Sequence, residues 1–379
     1  MTMSAPPDRM RVLHVGKYYP PAPGGMERVV QLLCEHERPT TDSRVLACNT
    51  TARTVAEEWN GVPVTRVARL LAIGSVGVCP TFPFAWRRLE ADVAVLHEPN
   101  PLALVADFVS WQRGPLVVWY HSEVVRPAWK YRVMYEPFLR RVLDRAARVV
   151  VSSPALAEHA AALQPYQQKC RVVPFGIDLA RLTPGATVLT RAAQIRAQHP
   201  GPLALFVGRL VPYKGVSVLL EAVRHLDLTT IIVGRGPLEG ALRAQAAEGE
   251  GRGQVVFAGD VNDQELLALY HACDVFVLPS VTKAEAFGMV QLEAMACGKP
   301  VISTDLPSGV PWVNRHGVSG LVIPPNDAGA LREALQSLVG DERCRRTLGA
   351  GARARVEQEF TAARRAERTL ALYREVVAG

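Results

Sequence analysis

Short apolar runs separated by longer helical patterns recur along the whole chain, and this alternation limits the possible folds more than any other feature. In the first half of the chain the runs lie at residues 12–15, 45–47, 93–96, 116–119 and 149–151. The pattern restarts after Gly201, with runs at residues 203–207, 230–233, 255–257, 275–278, 301–302 and 320–323. Continuous apolar strands that alternate with helices indicate parallel sheets covered on both faces. The sequence therefore predicts an α/β protein with two doubly wound, Rossmann-like domains.

Turn-forming residues mark the boundary between the two predicted domains, in the region from residue 172 to residue 202, with Pro174, Gly176 and Gly185 among them. We expect a first domain at residues 1–180 and a second at residues 181–360, followed by a C-terminal helix at residues 361–379. Ligands of open α/β sheets bind beyond the carboxyl ends of the strands. Two such sheets that face each other form a cleft, so the functional residues are expected just after strands.

The composition and the cysteine pattern indicate a cytoplasmic protein. Of the 379 residues 49% are apolar, yet no apolar run approaches the roughly 20 residues that span a bilayer. Residues 1–11 are polar and lack the apolar centre of a secretory signal. The seven cysteines form no C-x-x-C pair, which argues against a disulfide framework or a zinc site and for a reducing compartment.

Most of the net charge of +7 lies in one segment. Residues 126–148 contain seven basic and two acidic side chains, with apolar residues near helical spacing. A basic amphipathic helix of this kind can lie on an anionic membrane, here on the inner face of the cell membrane. An ordinary core-facing helix with a solvated basic face, or a clamp for an anionic acceptor, gives the same pattern. Nucleic acid is not expected as a partner, because no nucleic-acid-binding motif accompanies the charge.

Two glutamates eight positions apart flank the start of a predicted helix in the second domain. Glu285 lies in the loop before this helix, and Glu293 is expected two turns into it. Glu285 can accept hydrogen bonds from hydroxyls, and the free amides around Phe287 and Gly288 can face an anion. Glu293 can bind a second pair of hydroxyls. An anion flanked by hydroxyls describes a nucleotide sugar, with two solvated carboxylates as the alternative interpretation.

Polar or flexible residues also follow the predicted strands of the first domain. Gly24 and Gly25 permit close approach to the backbone before a helix whose first amides can face an anion. Taken alone, this pair is more simply interpreted as a flexible turn. The third strand is followed by His97, Glu98 and Asn100, which either bind an acceptor sugar or cap the next helix.

A single histidine, His121, follows the fourth strand, at the position where a cleft between the domains is expected. A lone histidine of this kind either acts on a ligand or is a buried structural side chain. We do not expect it to bind a metal, because no second histidine or cysteine lies at ligand spacing.

Two cations follow the first strand of the second domain. Arg209 and Lys214 can converge on one diphosphate, because arginine chelates two oxygens and lysine acts as a compact charge. Two solvated bases are the alternative. The chain contains no D-x-D motif, so these side chains can replace a divalent metal, and no metal site is predicted. At the next strand end, Gly234 and Gly236 mimic a dinucleotide fingerprint, but the spacing to Gly240 is one residue too long.

These motifs together resemble retaining glycosyltransferases with the GT-B fold, of the family 4 (group 1) type. The residues from Ala284 to Pro300 resemble the E-x7-E motif of that family. The resemblance implies that Gly24 and Gly25 approach the donor diphosphate or sugar and that His121 contacts the transferred sugar. It also implies two Rossmann-like domains that face each other across a cleft, with the C-terminal helix crossing back to the first domain.

The same resemblance implies a donor site made mainly by the second domain. Arg209 and Lys214 would neutralise the leaving diphosphate, and Glu285 and Glu293 would bind the hexose and the ribose. The other donor-binding residues that it implies are Gly234, Gly236, Asp260, Val261, Ala286, Phe287, Gly288, Met289 and Val290.

The implied reaction is transfer of a hexose from a nucleoside-diphosphate sugar, with the anomeric configuration retained and no cofactor. The motifs look most like those of mannosyltransferases in lipopolysaccharide and exopolysaccharide assembly. GDP-mannose is therefore the first expected donor, and a saccharide or lipid-linked saccharide is the expected acceptor. The alternatives are a UDP-hexose donor, a sugar-nucleotide epimerase on the same fold, an NAD(P)-dependent oxidoreductase that uses the Gly234 loop, and a non-catalytic sensor of sugar nucleotides.

Overall fold

The computed structural model describes residues 9–22, 24–73, 76–110, 114–123, 133, 135–248 and 253–379. The chain divides into two compact units. Unit 1 comprises the residues up to Phe175 together with Ala362–Gly379, and unit 2 comprises Gly176–Thr361. Of the helices in these ranges, none combines the length and the apolar character needed to cross a bilayer.

The main sheet of unit 1 is almost entirely parallel. Its strands in the described residues are β1 (Met10–Val15), β2 (Thr41–Cys48), β3 (Val55–Trp59), β4 (Val62–Val67), β7 (Val93–Glu98), β8 (Leu116–Tyr120), β9 (Arg148–Val151) and β10 (Cys170–Val172). Their order is β10-β9-β8-β7-β1-β2-β4-β3, and only β3 pairs antiparallel, with β4. A separate hairpin joins β5 (Leu71–Ile73) to β6 (Val76–Val78). The order reverses direction between β1 and β7, which is where α/β sheets usually bind ligands.

The sheet of unit 2 is wholly parallel. Its strands among the described residues are β11 (Leu203–Val207), β12 (Thr229–Val233), β13 (Gln254–Gly259), β14 (Val275–Leu278), β15 (Val301–Thr304) and β16 (Gly320–Ile323). The order is β13-β12-β11-β14-β15-β16, so this sheet reverses direction between β11 and β14. The prediction of two Rossmann-like α/β units is confirmed.

The helices that connect the strands are numbered here in chain order over the described residues. They are α1 (Gly25–Glu37), α2 (Phe82–Arg88), α3 (Pro101–Ser110), α4 (Glu136–Arg145), α5 (Pro154–His159), α6 (Ala186–Gln198), α7 (Val216–Val223), α8 (Glu239–Ala247), α9 (Asp263–Ala272), α10 (Met289–Ala296), α11 (Val310–Val313), α12 (Ala328–Gly340), α13 (Glu342–Glu359) and α14 (Ala362–Ala378). Side chains cap several of them by accepting a backbone N–H bond, as Ser153 does for α5 and Asn262 for α9. These caps satisfy amides that a helix leaves without a partner.

Strand alternation gives the sheet of unit 1 two buried faces. Leu13 of β1 points into a core shared with helices α2 to α5, whereas Val12 points to the opposite face. On that opposite face, Leu372 and Tyr373 of α14 pack against Val12 and strand β8. The C-terminal helix is therefore part of the unit 1 core. Each large apolar side chain that is fully buried there stabilises the fold by about 1.5–3 kcal/mol.

The basic segment at residues 126–148 is only partly described, and the basic residues outside the described part are Arg126, Lys130 and Arg132. The described part forms α4, which buries Leu139, Val142 and Leu143. Three of its basic side chains form ion pairs within unit 1, namely Arg140 with Glu136, Arg145 with Asp107, and Arg148 with Glu375. In this part, the core-facing helix is the interpretation that fits.

Candidate active site

The central feature of unit 2 is an ion pair at the point where its sheet reverses direction. Lys214 lies in a short 3₁₀ helix, Pro212–Lys214, that follows β11, and Glu285 lies in the loop that follows β14. The Lys214 Nζ is 2.5 Å from the Glu285 Oε2, and each side chain is only 10% exposed. The Ser280 hydroxyl donates to the same carboxylate oxygen at 2.9 Å. Because β11 and β14 are neighbours, their carboxyl ends bring these residues together, although they lie far apart in sequence.

Arg209, the second predicted cation, is in a different environment. It is exposed, and its guanidinium forms no ion pair or hydrogen bond with any described residue, although its backbone carbonyl accepts the Val211 N–H at 3.0 Å. The charge of Lys214 is balanced by Glu285, whereas the Arg209 guanidinium is exposed and accessible to an anion. The sequence predicted both cations but gave no sign that one of them is already paired.

The glycines after β11 and β12 let two loops pack backbone against backbone. The Leu210 N–H donates to the Arg235 carbonyl at 2.9 Å. A Cβ atom placed on Gly234 would lie 2.3 Å from the Gly208 carbonyl oxygen, and one on Gly236 would lie 2.3 Å from that of Leu210. Only glycine fits at these two contacts. The G-x-G pattern is thus accounted for by loop packing, which removes the main sequence argument for a nicotinamide site.

The loop after β13 carries a weak ion pair. The Arg235 Nε lies 3.5 Å from the Asp260 Oδ2, and both side chains are largely exposed, so the pair contributes little to stability. Val261 is half-buried beside it. Both residues predicted to border the base therefore lie at the carboxyl edge of the unit 2 sheet, next to the Arg235 loop.

Helix α10 begins later than the sequence suggested. Gly288 precedes it with φ of 72°, where a Cβ atom would lie 2.6 Å from the Leu278 side chain. Since the helix starts at Met289, Glu293 lies little more than one turn into it, and the expectation of two turns was wrong. The Tyr270 hydroxyl donates to the Glu293 Oε2 at 2.8 Å.

Buried contacts fix the loop that leads into α10. The Phe287 ring packs edge-on against Trp312 and Phe360, and the Ala286 carbonyl accepts a hydrogen bond from the Gly309 N–H at 2.8 Å. The first amides of α10, at Met289 and Val290, belong to the turn that leaves backbone donors without an intrahelical partner. The loop is therefore held by its side chains, and its backbone donors can serve a ligand.

In unit 1 the strand register aligns three histidines on one face of the sheet. His14 is the register partner of Val95 in β7, and His97 lies two residues further along the same strand. His97 is in turn the partner of Trp119 in β8, and His121 follows two residues later. Residues two apart in a strand point to the same face. The three imidazoles therefore form a diagonal line across β1, β7 and the end of β8.

Hydrogen bonds join these histidines to a buried glutamate of α1. The Glu37 Oε2 lies 3.1 Å from the His14 Nε2, the His14 Nδ1 lies 3.1 Å from the His97 Nε2, and the His97 Nδ1 lies 3.0 Å from the His121 Nε2. Successive rings stack with centroids 5.3–5.4 Å apart. The Nδ1 of His121 is buried with no hydrogen-bond partner in the described residues. We call this set the histidine chain.

The environment shifts the pKa values of the three histidines in different directions. Burial lowers the pKa of His14, but the nearby Cys34 and Glu37 outweigh it and raise that pKa to about 10. Burial and then the charges of His121, His14 and Arg365 hold the pKa of His97 well below its usual range. Burial and then Arg365 lower the pKa of His121 to about 3.

The residues predicted to bind the acceptor have structural partners. The Asn100 Oδ1 accepts the Ala103 N–H at 3.2 Å and so caps α3, while Glu98 accepts bonds from the Tyr135 hydroxyl and the Asn100 N–H. Burial, opposed by these two bonds, raises the pKa of Glu98 to about 7. His97 and Glu98 belong to β7 itself rather than to the loop after it. Of the two interpretations from sequence, helix capping is the one with direct contacts for Asn100.

The Glu27 carboxylate lies beside Gly24 at the start of α1. A Cβ atom on Gly24 would lie 1.8 Å from the Glu27 Oε2, whereas nothing lies within 4 Å of one on Gly25. Glu27 is buried, and this burial raises its pKa. The space predicted for a donor phosphate beside Gly24 is therefore taken up by Glu27 in this state.

Several residues of these two sites were not found from sequence. His14 was counted as part of an apolar run, and Glu37, Ser280, Tyr270 and Tyr135 carried no motif. The one available signal was His14, a polar side chain inside an otherwise apolar strand. Over the described residues, no group of three or more His, Cys, Asp or Glu side chains has the arrangement of a metal site.

Comparison with known proteins agrees with this geometry. Residues 23–181 match the family model described as Glycosyltransferase Family 4, and residues 190–355 match that of the Glycosyl transferases group 1. The D-rhamnosyltransferase WbpZ of Pseudomonas aeruginosa is 35% identical over 357 residues, which cover 93% of each chain. The O-antigen chain mannosyltransferase C of Escherichia coli is 33% identical over 365 residues, covering 93% of this chain and 95% of that protein.

Solved structures show the same fold. Sucrose-phosphate synthase from Thermosynechococcus elongatus superposes with a TM-score of 0.77 at 24% identity, over 98% of this chain and 100% of that one. Anabaena Alr3699/HepE in complex with UDP gives a TM-score of 0.75 at 21% identity, over 97% and 100%. The chain is a glycosyltransferase of family 4 (group 1), with the GT-B fold.

Proposed function

We propose that this glycosyltransferase moves a hexose from a nucleoside-diphosphate sugar to a saccharide or lipid-linked saccharide, with GDP-mannose as the first candidate donor. The observation that carries this proposal is the set of charges at the reversal point of the unit 2 sheet. A paired Lys214, an open Arg209 and the amides at the start of α10 together suit a diphosphate next to hydroxyl groups.

The proposed donor site assigns one role to each group. Arg209 and Lys214 bind the diphosphate, and Glu285 accepts a hydrogen bond from a hexose hydroxyl. Glu293 binds the ribose hydroxyls, while its Oε2 already accepts the Tyr270 hydroxyl. The loops at Gly234, Gly236, Asp260 and Val261 adjoin the nucleoside. In unit 1, His121 contacts the transferred sugar, and Gly24 and Gly25 approach the donor.

We propose a retaining, metal-independent reaction. The bond between the anomeric carbon and the phosphate oxygen breaks, and its electron pair remains on the diphosphate. The acceptor hydroxyl attacks the same face of the sugar and gives its proton to a phosphate oxygen. Arg209, Lys214 and the amides of Phe287 to Val290 stabilise the growing negative charge, which is the role a metal plays elsewhere.

The choice of donor is supported by the relatives of the chain. A mannosyltransferase and a D-rhamnosyltransferase both align over 93% of it, so GDP-mannose and its 6-deoxy counterpart are the leading candidates. A UDP-hexose is the second candidate, because Alr3699/HepE, which shares the fold, was solved with UDP and with UDP-glucose. We propose a role in O-antigen or related surface-polysaccharide synthesis on the same basis.

We further propose peripheral contact with the inner face of the cell membrane. Val105, Phe108 and Val109 form an exposed apolar face on α3, and the Arg141 guanidinium lies 4.8 Å from the Phe108 ring centroid. We call these four residues the α3 surface. Apolar side chains beside a cation suit an anionic lipid surface, where a lipid-linked acceptor resides.

Thermal shift and transfer assays test the assignment. We expect stabilisation by GDP, weaker stabilisation by UDP, and none by NAD or NADP. Incubation with radiolabelled GDP-mannose, GDP-rhamnose and UDP-glucose then identifies the sugar by hydrolysis or transfer. Stabilisation by NAD alone would contradict the proposal, and interconversion of sugar nucleotides without transfer would indicate an epimerase.

A further inference from the structure

The histidine chain ends at a nitrogen that has no partner, and the other end is a buried carboxylate. Glu37, His14 and His97 are fully buried, and His121 is 7% exposed. Each link joins one ring nitrogen to the next group at 3.0–3.1 Å, so each link must contain one hydrogen. A neutral imidazole carries one N–H, and an imidazolium carries two. The protonation state at one end of the chain therefore determines the tautomer at the other.

Two arrangements satisfy all three links. If His14 is neutral and donates to Glu37, then His97 and His121 must each donate through Nε2, which leaves the His121 Nδ1 without a hydrogen. If the chain holds one more proton, shared by His14 and Glu37, then His14 donates to His97 and His97 donates to His121. The hydrogen of His121 is then on Nδ1. The two states present opposite hydrogen-bonding character at the same buried atom.

The groups around His14 favour the second arrangement. From α1 it faces Glu37 and Cys34, and from β7 it faces His97, while Arg365 and Tyr373 of α14 interact with Glu37 and Cys34. Burial lowers the pKa of His14, but Cys34 and then Glu37 outweigh this effect and raise that pKa. The charge of Arg365 disfavours charge on His97 and His121, and Arg365 also interacts with Glu37 and Cys34. One extra proton is thus held between Glu37 and His14, and His97 and His121 stay neutral.

We propose that Glu37, His14 and His97 are positioning residues that fix the hydrogen of His121 on Nδ1, so that His121 presents an N–H donor at its free nitrogen. Under the proposed function, on which this further role rests, the Nδ1–H of His121 donates a hydrogen bond to a hydroxyl oxygen of the transferred sugar. An Nδ1 that carries a hydrogen cannot bind a metal ion, so the arrangement also suits metal-free chemistry.

The tautomer can be measured directly on the full-length protein without substrate. Long-range ¹H–¹⁵N correlation of ¹⁵N-histidine-labelled protein at pH 7 should show His121 as the Nδ1–H tautomer. In Glu37→Gln the charge that holds the extra proton is removed, so His14 should lose one of its two ring hydrogens and become a neutral imidazole. Glu35→Gln is the matched control, because Glu35 lies on the same helix and accepts bonds from the Gln31 and Asn60 amides instead. It should leave the tautomer unchanged.

Several outcomes would overturn the proposal. An Nε2–H tautomer in the native protein would exclude it, and so would a folded Glu37→Gln variant in which His14 keeps both ring hydrogens. If Glu37→Gln fails to fold, titration of the native protein gives the answer: His121 should change tautomer as His14 loses its proton, with a midpoint near the raised pKa of about 10. If the His121 tautomer does not change up to that pH, or changes independently of His14, the proposed coupling through the histidine chain is wrong.

Kinetics separate this proposal from the proposed function. A change of His121 to Nε2–H should lower kcat/KM roughly tenfold, the effect of one lost hydrogen bond to the sugar, while Glu35→Gln, which keeps the native tautomer, should leave kcat/KM unchanged. If the predicted tautomers are found but no glycosyl transfer occurs, the proposed role of the histidine chain is supported and the proposed function is overturned. Glycosyl transfer with an Nε2–H His121 in the native protein would do the opposite.

Discussion

The Lys214 ammonium lies 2.5 Å from the Glu285 carboxylate, and both side chains are only 10% exposed. A buried pair of this kind is costly to break from one side, because the remaining charge has no partner. The same pair can respond to a ligand. A diphosphate that approaches Lys214 competes with Glu285 for the ammonium, and the released carboxylate can then accept a hydrogen bond from a sugar hydroxyl. The same contact therefore contributes to both the stability and the proposed chemistry of unit 2.

Glu285→Gln should destabilise the protein by about 3–5 kcal/mol, less where Lys214 loses its proton to avoid an unpaired charge. The double variant Lys214→Met/Glu285→Gln removes both charges and should regain most of that stability. Thermal unfolding of the two variants measures the difference, and both should be inactive in glycosyl transfer. Equal stabilities for the single and double variants would show that the ion pair does not persist in solution.

Arg209→Ala should lower kcat strongly while leaving stability unchanged. Because the Arg209 side chain is exposed and its guanidinium forms no hydrogen bond or ion pair with the described residues, truncating it removes no such bond from the fold. The loss of a donor to the leaving diphosphate should raise the barrier by about 2–4 kcal/mol. Steady-state kinetics with the preferred donor provide the measurement. Arg343→Ala, an exposed arginine of α13, is the control, and an Arg209→Ala enzyme with native turnover would place the diphosphate elsewhere.

Glu293→Ala should raise the donor KM more than it lowers kcat, because ribose contacts are equally strong in the ground and transition states. It should also cost about 1 kcal/mol of stability, since the Tyr270 hydroxyl loses its acceptor at 2.8 Å and keeps only the Val290 carbonyl at 3.4 Å. Tyr270→Phe separates the two effects: it removes the same internal bond but should leave KM almost unchanged. A Tyr270→Phe variant with the same rise in KM would show that Glu293 acts through packing alone.

The α3 surface should determine binding to anionic membranes. Phe108→Ser removes one apolar contact with the membrane, which should weaken the free energy of binding by about 1.5–3 kcal/mol. Arg141→Glu in the same variant reverses one charge, which should weaken it by about 2 kcal/mol more. We expect co-sedimentation with phosphatidylglycerol vesicles to fall at least tenfold. Leu189→Ser changes a similarly exposed apolar residue of α6 in unit 2 and should have no effect. Unchanged sedimentation of the α3 variant would exclude this surface as the membrane contact.

The sequence predicted the architecture and the positions of most candidate residues, because strand ends can be located from apolar runs alone. It identified Arg209, Lys214 and Glu285. The ion pair between Lys214 and Glu285 depends on β11 and β14 being neighbours, and local sequence patterns do not reveal the order of the strands. The histidine chain was missed for the same reason: its links follow the register of β1, β7 and β8. The carboxylate of Glu27 beside Gly24 was missed because a side-chain rotamer decides it.

The lowered pKa of His121 makes a final prediction about stability in acid. Its pKa is about 3 in the folded protein, against an ordinary value of 6.5, because burial and then Arg365 disfavour the charged ring. Between these values the unfolded chain binds a proton that the folded protein does not. The contribution of His121 is therefore fully present above pH 6.5 and is lost as the pH falls toward 3, by up to about 1.4 kcal/mol per pH unit. His14, whose pKa is raised, acts in the opposite sense and only above pH 6.5.

Melting temperatures measured from pH 4.5 to pH 6.5 test this prediction. His121→Gln cannot take up the proton, so its melting temperature should rise less steeply with pH than that of the native protein. His225→Gln changes an exposed histidine of unit 2 and should keep the native slope. If His121→Gln and the native protein show the same slope, then His121 is not held neutral by its surroundings, and the charge distribution inferred for the histidine chain is wrong.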